Sequence, residues 1–257
     1  MTANFSIAEA LTGAIWAQAA YGEVPLPTGY MLGVNAELRD FRPAADIQVL
    51  VARGNGRLVV AFRGTVDIKG WLLDANVRLR DYPVAGKGVK LHTGFYSTVD
   101  AAWAWLVPIV ENAVKDGLQI WIYGHSKGAA ESLVFAFRLA MERRVKVTAV
   151  FNYGCPRVFN RAGAAAYNAE QITTWRVVDE DDTVTRIPLL FGLYRHAGRT
   201  AFVDHWLNIE LDEPFYAHLP SDIECAIEEL FHRQDMLAHD HNIGLYVQRL
   251  TTIQQSQ

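Results

Sequence analysis

The chain has 257 residues, about half of them apolar, with 24 Lys/Arg against 28 Asp/Glu and a formal net charge of −4. That length suits one large α/β domain whose core is big enough to stand without metal or disulfide staples. The near-neutral charge and the absence of any Lys/Arg block argue against a nucleic-acid binder. The first 22 residues lack a basic leader region and carry Glu9 among apolar residues. Ile7, Leu11, Ile15 and Ala19 recur at helical spacing, and Ser6 with Glu9 offers a capping box. This stretch therefore reads as an amphipathic packing helix rather than a signal peptide. That reading makes the cytoplasm the default compartment and leaves secretion open. No run of about 18 uncharged apolar residues occurs, so no transmembrane span is expected.

Strand-like and helix-like segments then alternate. Residues 47–52, 57–63, 119–123, 146–153 and 173–178 are rich in Val, Ile and aromatics, as buried parallel strands are. Helical patterns follow at 97–115, 129–143, 161–170 and 221–238, with Ser97/Asp100 and Ser221/Glu224 as N-terminal caps and Pro108 as a source of a kink. The alternation predicts an α/β fold with a mostly parallel central sheet and helices on both faces. Ligands of such sheets bind beyond the carboxyl ends of the strands. Nothing divides the chain, so residues 1–257 read as a single domain. The two cysteines, Cys155 and Cys225, form no metal pattern and are read as buried free thiols.

The segment with most chemical content is Gly124-His125-Ser126-Lys127-Gly128, set between a strand and a helix. A serine on a sharp strand-to-helix turn, flanked two positions away by glycines that avoid a clash, is the arrangement of an acyl-transfer nucleophile. The helix N-terminus favours the negative charge that develops there. His125, next to the serine in sequence, points elsewhere at such a turn and suits a supporting role. An oxyanion hole needs two main-chain N–H groups, one from the residue after the nucleophile, Lys127, and one from a loop after an early strand. Thr65, in Phe62-Arg63-Gly64-Thr65, is placed to supply the second.

The acid and base should follow the nucleophile in the order Asp/Glu, then His. Asp179, Glu180, Asp181 and Asp182 are four candidates in one loop, and composition does not choose among them. His196, His205, His218, His232, His239 and His241 all follow in the right order.

GHSKG, the FRGT and WLLD segments, KLHTGFYSTV, YGCPRVFN, DDTVTRIP and the late DHNIGLYVQRL together resemble the class 3 lipase family, whose members are α/β hydrolases of the fungal-lipase type. The resemblance implies a serine hydrolase that cleaves carboxylic ester bonds of lipids, a lipase or carboxylesterase, and uses neither a metal nor an organic cofactor. In its register the acid is Asp182, with Asp181 in reserve, and the base is His241, with His239 as its rival. His196 matches a family histidine that is not catalytic. Thr65 and Lys127 fall on the oxyanion-hole positions, although the family usually has an apolar residue at 127 and Pro where Thr185 stands. The resemblance also implies a short lid over residues 66–76, bearing Ile68, Trp71, Leu72 and Leu73, with a core-packing helix as the alternative, and a transient contact with a lipid interface. The apolar stretch 187–194, with Phe215 and Tyr216, either lines the acyl pocket or packs the core. A phospholipid, thioester or aryl-ester substrate, or an inactive binding relative, are the alternatives.

Overall fold

The computed structural model describes residues 4–22, 24–38, 47–65, 78–188, 192–212 and 241–256. Its frame is an eight-stranded sheet in the order β1-β2-β3-β6-β7-β8-β9-β10. The strands are β1 (Tyr30–Leu38), β2 (Ile47–Gly54), β3 (Arg57–Phe62), β6 (Gln119–His125), β7 (Ala149–Tyr153), β8 (Thr173–Asp179), β9 (Arg199–Val203) and β10 (Ile209–Leu211). β4 (Leu79–Asp81) and β5 (Lys90–His92) pair separately. Neighbours from β3 to β9 run parallel, and the outer pairs β1–β2, β2–β3 and β9–β10 are antiparallel. The parallel block brings the carboxyl ends of β3, β6, β7 and β8 to one rim, which is where a site is expected.

Period-two alternation divides the strand residues between two cores. Leu58, Val60 and Phe62 of β3, with Ile120 and Ile122 of β6, face α2 (Thr93–Lys115) and α3 (Lys127–Arg143). Val59, Ala61, Trp121 and Tyr123 face α1 (Ile7–Ala19) and α5 (Ile243–Gln255). Helices therefore cover both faces, as the sequence predicts. Every residue of α3 from Gly128 to Ala140 is buried, so the helix that follows the serine is held on all sides.

Local details differ from expectation for identifiable reasons. α2 begins at Thr93, four residues before the expected start, because the His92 ring, not Ser97, caps it: Nδ1 accepts from the N–H groups of Gly94 and Phe95. The helix continues through Pro108. β7 begins at Ala149 rather than 146, since the Ile120 N–H bonds the Thr148 hydroxyl instead of a main-chain carbonyl. In α1 the Ser6 hydroxyl accepts from Glu9 N–H, but the Glu9 carboxylate reaches Arg57 rather than completing the box. Its buried face is Ala10, Gly13, Ala14 and Ala17 with Trp16, whereas Ile7, Leu11 and Ile15 are half-buried. The helix lies so close to the sheet that a Cβ on Gly13 would come 2.7 Å from the Tyr123 ring, which selects small residues. α4 (Arg161–Ala169) matches the position expected for it at 161–170. The helix expected at 221–238 lies outside the described residues.

Candidate active site

The turn between β6 and α3 places Ser126 at φ 59° and ψ −131°, a conformation that a non-glycine residue adopts only when its surroundings enforce it. The enforcement is visible. A Cβ on Gly124 would come 2.7 Å from the carbonyl carbon of Gly128, and one on Gly128 would come 2.7 Å from the main chain of Arg63. Both positions therefore require glycine. Ser126 is fully buried, its N–H bonds the Tyr153 carbonyl at 3.0 Å, and its Oγ has no hydrogen-bond partner among the described residues.

At the end of β8, the Asp182 carboxylate faces the His241 ring, with Oδ2 2.7 Å from Nδ1. Both side chains are buried. Oδ2 also accepts from the Tyr246 hydroxyl at 2.5 Å, and Oδ1 from the Val184 N–H at 2.9 Å. Three donors thus hold the carboxylate in one orientation. Tyr246 stays protonated and able to donate, because burial and the neighbouring Asp182 push its hydroxyl well above the ordinary phenol range. With Nδ1 committed to Asp182, His241 Nε2 is buried and has no partner among the described residues. Gly154, after β7, lies against this pair: at φ +60° its absent side chain leaves room that a Cβ would fill at 2.5 Å from His241 Cε1.

His125 connects the serine to this pair. Its Nε2 donates to the main-chain carbonyl of His241 at 2.8 Å, and its Nδ1 accepts from the Tyr21 hydroxyl, also at 2.8 Å. Burial first, and then His241, hold its pKa well below the ordinary histidine value, so the ring is neutral, as this bonding requires. Ser126 Oγ and His241 Nε2 are therefore two complementary buried atoms, each without a partner among the described residues, whose chain segments are tied together through His125.

The other candidates are placed elsewhere. Asp181 is about half exposed, and Glu180 pairs with the half-exposed His205. Asp179 is buried against Arg249 at 3.0 Å, and burial pushes its carboxyl up to about 7 against the pull of that guanidinium. His196 is half-buried with Nε2 on the Thr185 carbonyl, and desolvation, then Arg176 and Arg157, hold its pKa well below the ordinary histidine value. Thr65 follows Gly64, on which a Cβ would lie 2.8 Å from Ser126 Cβ, so the loop after β3 runs beside the serine. Lys127 turns its ammonium along α3 to Glu131, 2.8 Å away and fully buried. Cys155 is a buried free thiol, pushed up to about 12 by burial.

His239, His218, His232, Phe215, Tyr216, Cys225 and the segment 66–76 with Ile68, Trp71, Leu72 and Leu73 lie outside the described residues. Among the described residues no cluster of metal-ligating side chains occurs, and no helix is long and apolar enough to cross a membrane. Sequence reasoning missed Tyr21, whose signal is absent from any local motif, and gave no role to Tyr246 within DHNIGLYVQRL.

Comparison with known proteins gives the same frame. Residues 59–192 match the family described as lipase (class 3). The secreted mono- and diacylglycerol lipase 1 of Fusarium solani is 31% identical over 172 residues, which are 63% of this chain and 48% of that protein. The chloroplastic phospholipase A(1) DAD1 of Arabidopsis thaliana is 25% identical over 227 residues, 79% of this chain and 51% of that one. The chain thus spans about half the length of these curated relatives. Among solved structures, a Rhizomucor miehei triacylglyceride lipase superposes with a TM-score of 0.72 at 22% identity, covering 86% of this chain and 92% of that one. Lipase II from Rhizopus niveus superposes at 0.70 and 22%, covering 80% and 83%. These likenesses establish the α/β-hydrolase fold.

Proposed function

Since the chain belongs to the class 3 lipase family, we propose that it is a serine hydrolase of lipid carboxylic esters, with Ser126 as nucleophile, His241 as base and Asp182 as acid. The observation that carries this reading is the buried Asp182–His241 pair, whose Nε2, like Ser126 Oγ, has no partner among the described residues, with His125 bonding the His241 main chain. In the proposed reaction Ser126 Oγ attacks the ester carbonyl and passes its proton to His241 Nε2. Asp182 fixes the Nδ1–H tautomer and stabilises the imidazolium. The main-chain N–H groups of Thr65 and Lys127 hold the oxyanion, each contributing on the order of 3 kcal/mol to the barrier reduction. His241 returns the proton to the leaving alcohol, and water then releases the acid by the same steps in reverse.

Ser126 is inaccessible as described, so a substrate reaches it only when covering chain moves. That suits a lid over residues 66–76 and a transient lipid-interface contact, and one of the solved structures similar to this chain is described as a model for interfacial activation. The plant relative favours a second reading in which the ester belongs to a phospholipid. Hydrolysis of p-nitrophenyl esters from C2 to C16, beside Ser126→Ala, tests the chemistry. Activity in the wild type that is lost in the variant supports it; equal rates in both overturn it. Parallel assays on emulsified diacylglycerol and on phosphatidylcholine separate the two substrates.

A further inference from the structure

Arg249 of α5 makes three contacts with the rim of the sheet. Its Nε lies 3.0 Å from Asp179 Oδ2 at the end of β8, one terminal nitrogen lies 3.5 Å from Asp181 Oδ2 in the acid loop, and the other donates to the Asp204 carbonyl after β9 at 3.3 Å. The guanidinium is mostly buried and the Asp179 carboxylate almost fully so. An ion pair this far from water costs desolvation that its mutual attraction barely offsets, so stability alone is a weak reason for it.

Its position supplies a better reason. Asp179 is joined to Asp182 by two separate routes. Its carbonyl accepts the Asp182 N–H at 3.1 Å, and its own N–H donates to the Tyr246 hydroxyl at 3.3 Å, which in turn donates to Asp182 Oδ2. Its side chain also accepts from the Asp181 N–H at 3.3 Å. The loop that presents Asp182 is thus built on Asp179. Arg249 sits on the helix that begins two residues after His241, six residues beyond its first residue Ile243. One side chain therefore ties the element following the base to the strand end supporting the acid.

We propose that Arg249 and Asp179 are positioning residues that fix the register between the acid loop and the base, setting the turnover rate rather than substrate binding. This rests on the serine-hydrolase reading above. The two residues touch neither substrate nor reacting atoms, and act through Asp182 and Tyr246. Loss of the clamp lets the Asp182–His241 geometry loosen, and a misplacement on the order of 1 Å at reacting groups is enough to cost orders of magnitude in rate.

The test compares wild type with Arg249→Gln, Asp179→Asn and Arg249→Lys, each counted by active-site titration with a phosphonate so that only folded, reactive enzyme enters kcat. Gln and Asn keep the shape and some hydrogen bonding, which protects the fold. Lys keeps the charge but cannot make three divergent contacts. The expected result is a kcat about tenfold lower in Arg249→Gln and Asp179→Asn, with KM within about twofold and partial recovery in Arg249→Lys. A kcat per titrated site equal to wild type in both neutral variants, whatever happens to their melting temperature, overturns the proposal and leaves the pair a structural tie. A wild-type protein that neither hydrolyses esters nor reacts with the phosphonate removes the enzymatic reading itself, and this proposal with it.

Discussion

His125 Nε2 donates a hydrogen bond to the main-chain carbonyl of His241, so the residue before Ser126, the proposed nucleophile, holds the backbone of the proposed base. The relation runs one step further, to the Tyr21 hydroxyl on the other side of the same ring. Replacing His125 by Phe leaves a buried carbonyl unpaired, which costs about 1–3 kcal/mol and frees the His241 main chain. Replacing Tyr21 by Phe leaves His125 bonded to His241 and removes only the support behind it. We expect kcat to fall by about one to two orders of magnitude in His125→Phe and by only a few-fold in Tyr21→Phe. Steady-state kinetics on a short-chain ester check the ranking. A Tyr21→Phe loss larger than that of His125→Phe would show that Tyr21 acts by some other route.

Tyr246 is one of three donors on the Asp182 carboxylate and is also packed in the core beside Tyr153 and His125. Tyr246→Phe keeps the ring and removes the hydroxyl, leaving Val184 N–H and His241 on Asp182. Asp182 then loses one short hydrogen bond, worth about 1.5–3 kcal/mol when made to an ionised group. The buried Asp179 N–H also loses its acceptor, so the expected outcome is a folded protein destabilised by about 1–3 kcal/mol, with kcat per active site reduced roughly five- to tenfold and KM little changed. A wild-type kcat in Tyr246→Phe would mean that two donors suffice to orient Asp182.

The contrast between these residues explains what was legible in the sequence. The sheet and its flanking helices announce themselves through period-two and helical hydrophobic patterns, and the Ser126 turn through two glycines whose spacing has one steric reason. Asp182 could not be separated from its three acidic neighbours by chemistry, because all four are the same kind of group. Only burial distinguishes Asp182 and Asp179 from the partly exposed Asp181 and Glu180, and burial is a tertiary property. Tyr21 lies 104 positions from its partner His125, and no local pattern encodes such a contact. α1 shows the same limit: its larger apolar residues predict one buried stripe, whereas close approach to the sheet buries the alanines.

Lys127 stands where an apolar residue is expected, and the structure gives it a partner in Glu131 one helical turn along. Burial pushes the Glu131 carboxyl up, and Lys127 acts against that shift. Lys127→Met alone leaves a carboxylate in the interior, a change that costs about 3–5 kcal/mol when one member of a buried pair is removed. The double replacement Lys127→Met with Glu131→Leu removes both charges together and should regain most of that loss. Denaturant unfolding of the two singles and the double measures the coupling. Additive effects would mean that the two charges do not depend on each other. If the ammonium also tunes substrate polarity, the double variant shifts the chain-length optimum while keeping the proposed oxyanion main-chain donors in place.

The pH dependence of stability follows from His92. Burial lowers its pKa from the ordinary 6.5 to about 4, and its unprotonated Nδ1 caps α2. A histidine with a depressed folded-state pKa binds more protons when unfolded, so its contribution is complete above the unfolded pKa. That contribution is lost as pH falls from about 6.5 toward 4, reaching roughly 3 kcal/mol. His125 and His196, also held neutral by burial, act in the same direction. Asp179 acts oppositely, because its raised carboxyl favours the folded state at low pH and loses that advantage as pH rises through about 7. His92→Asn retains a side-chain acceptor at the cap without a group that titrates in this range. Its stability should therefore fall less steeply than the wild type's between pH 6.5 and 4, with the Asp179 contribution common to both and cancelling in the difference. Equilibrium unfolding at half-unit pH steps provides the comparison; parallel curves for the two proteins would show that His92 is not a source of the acid sensitivity.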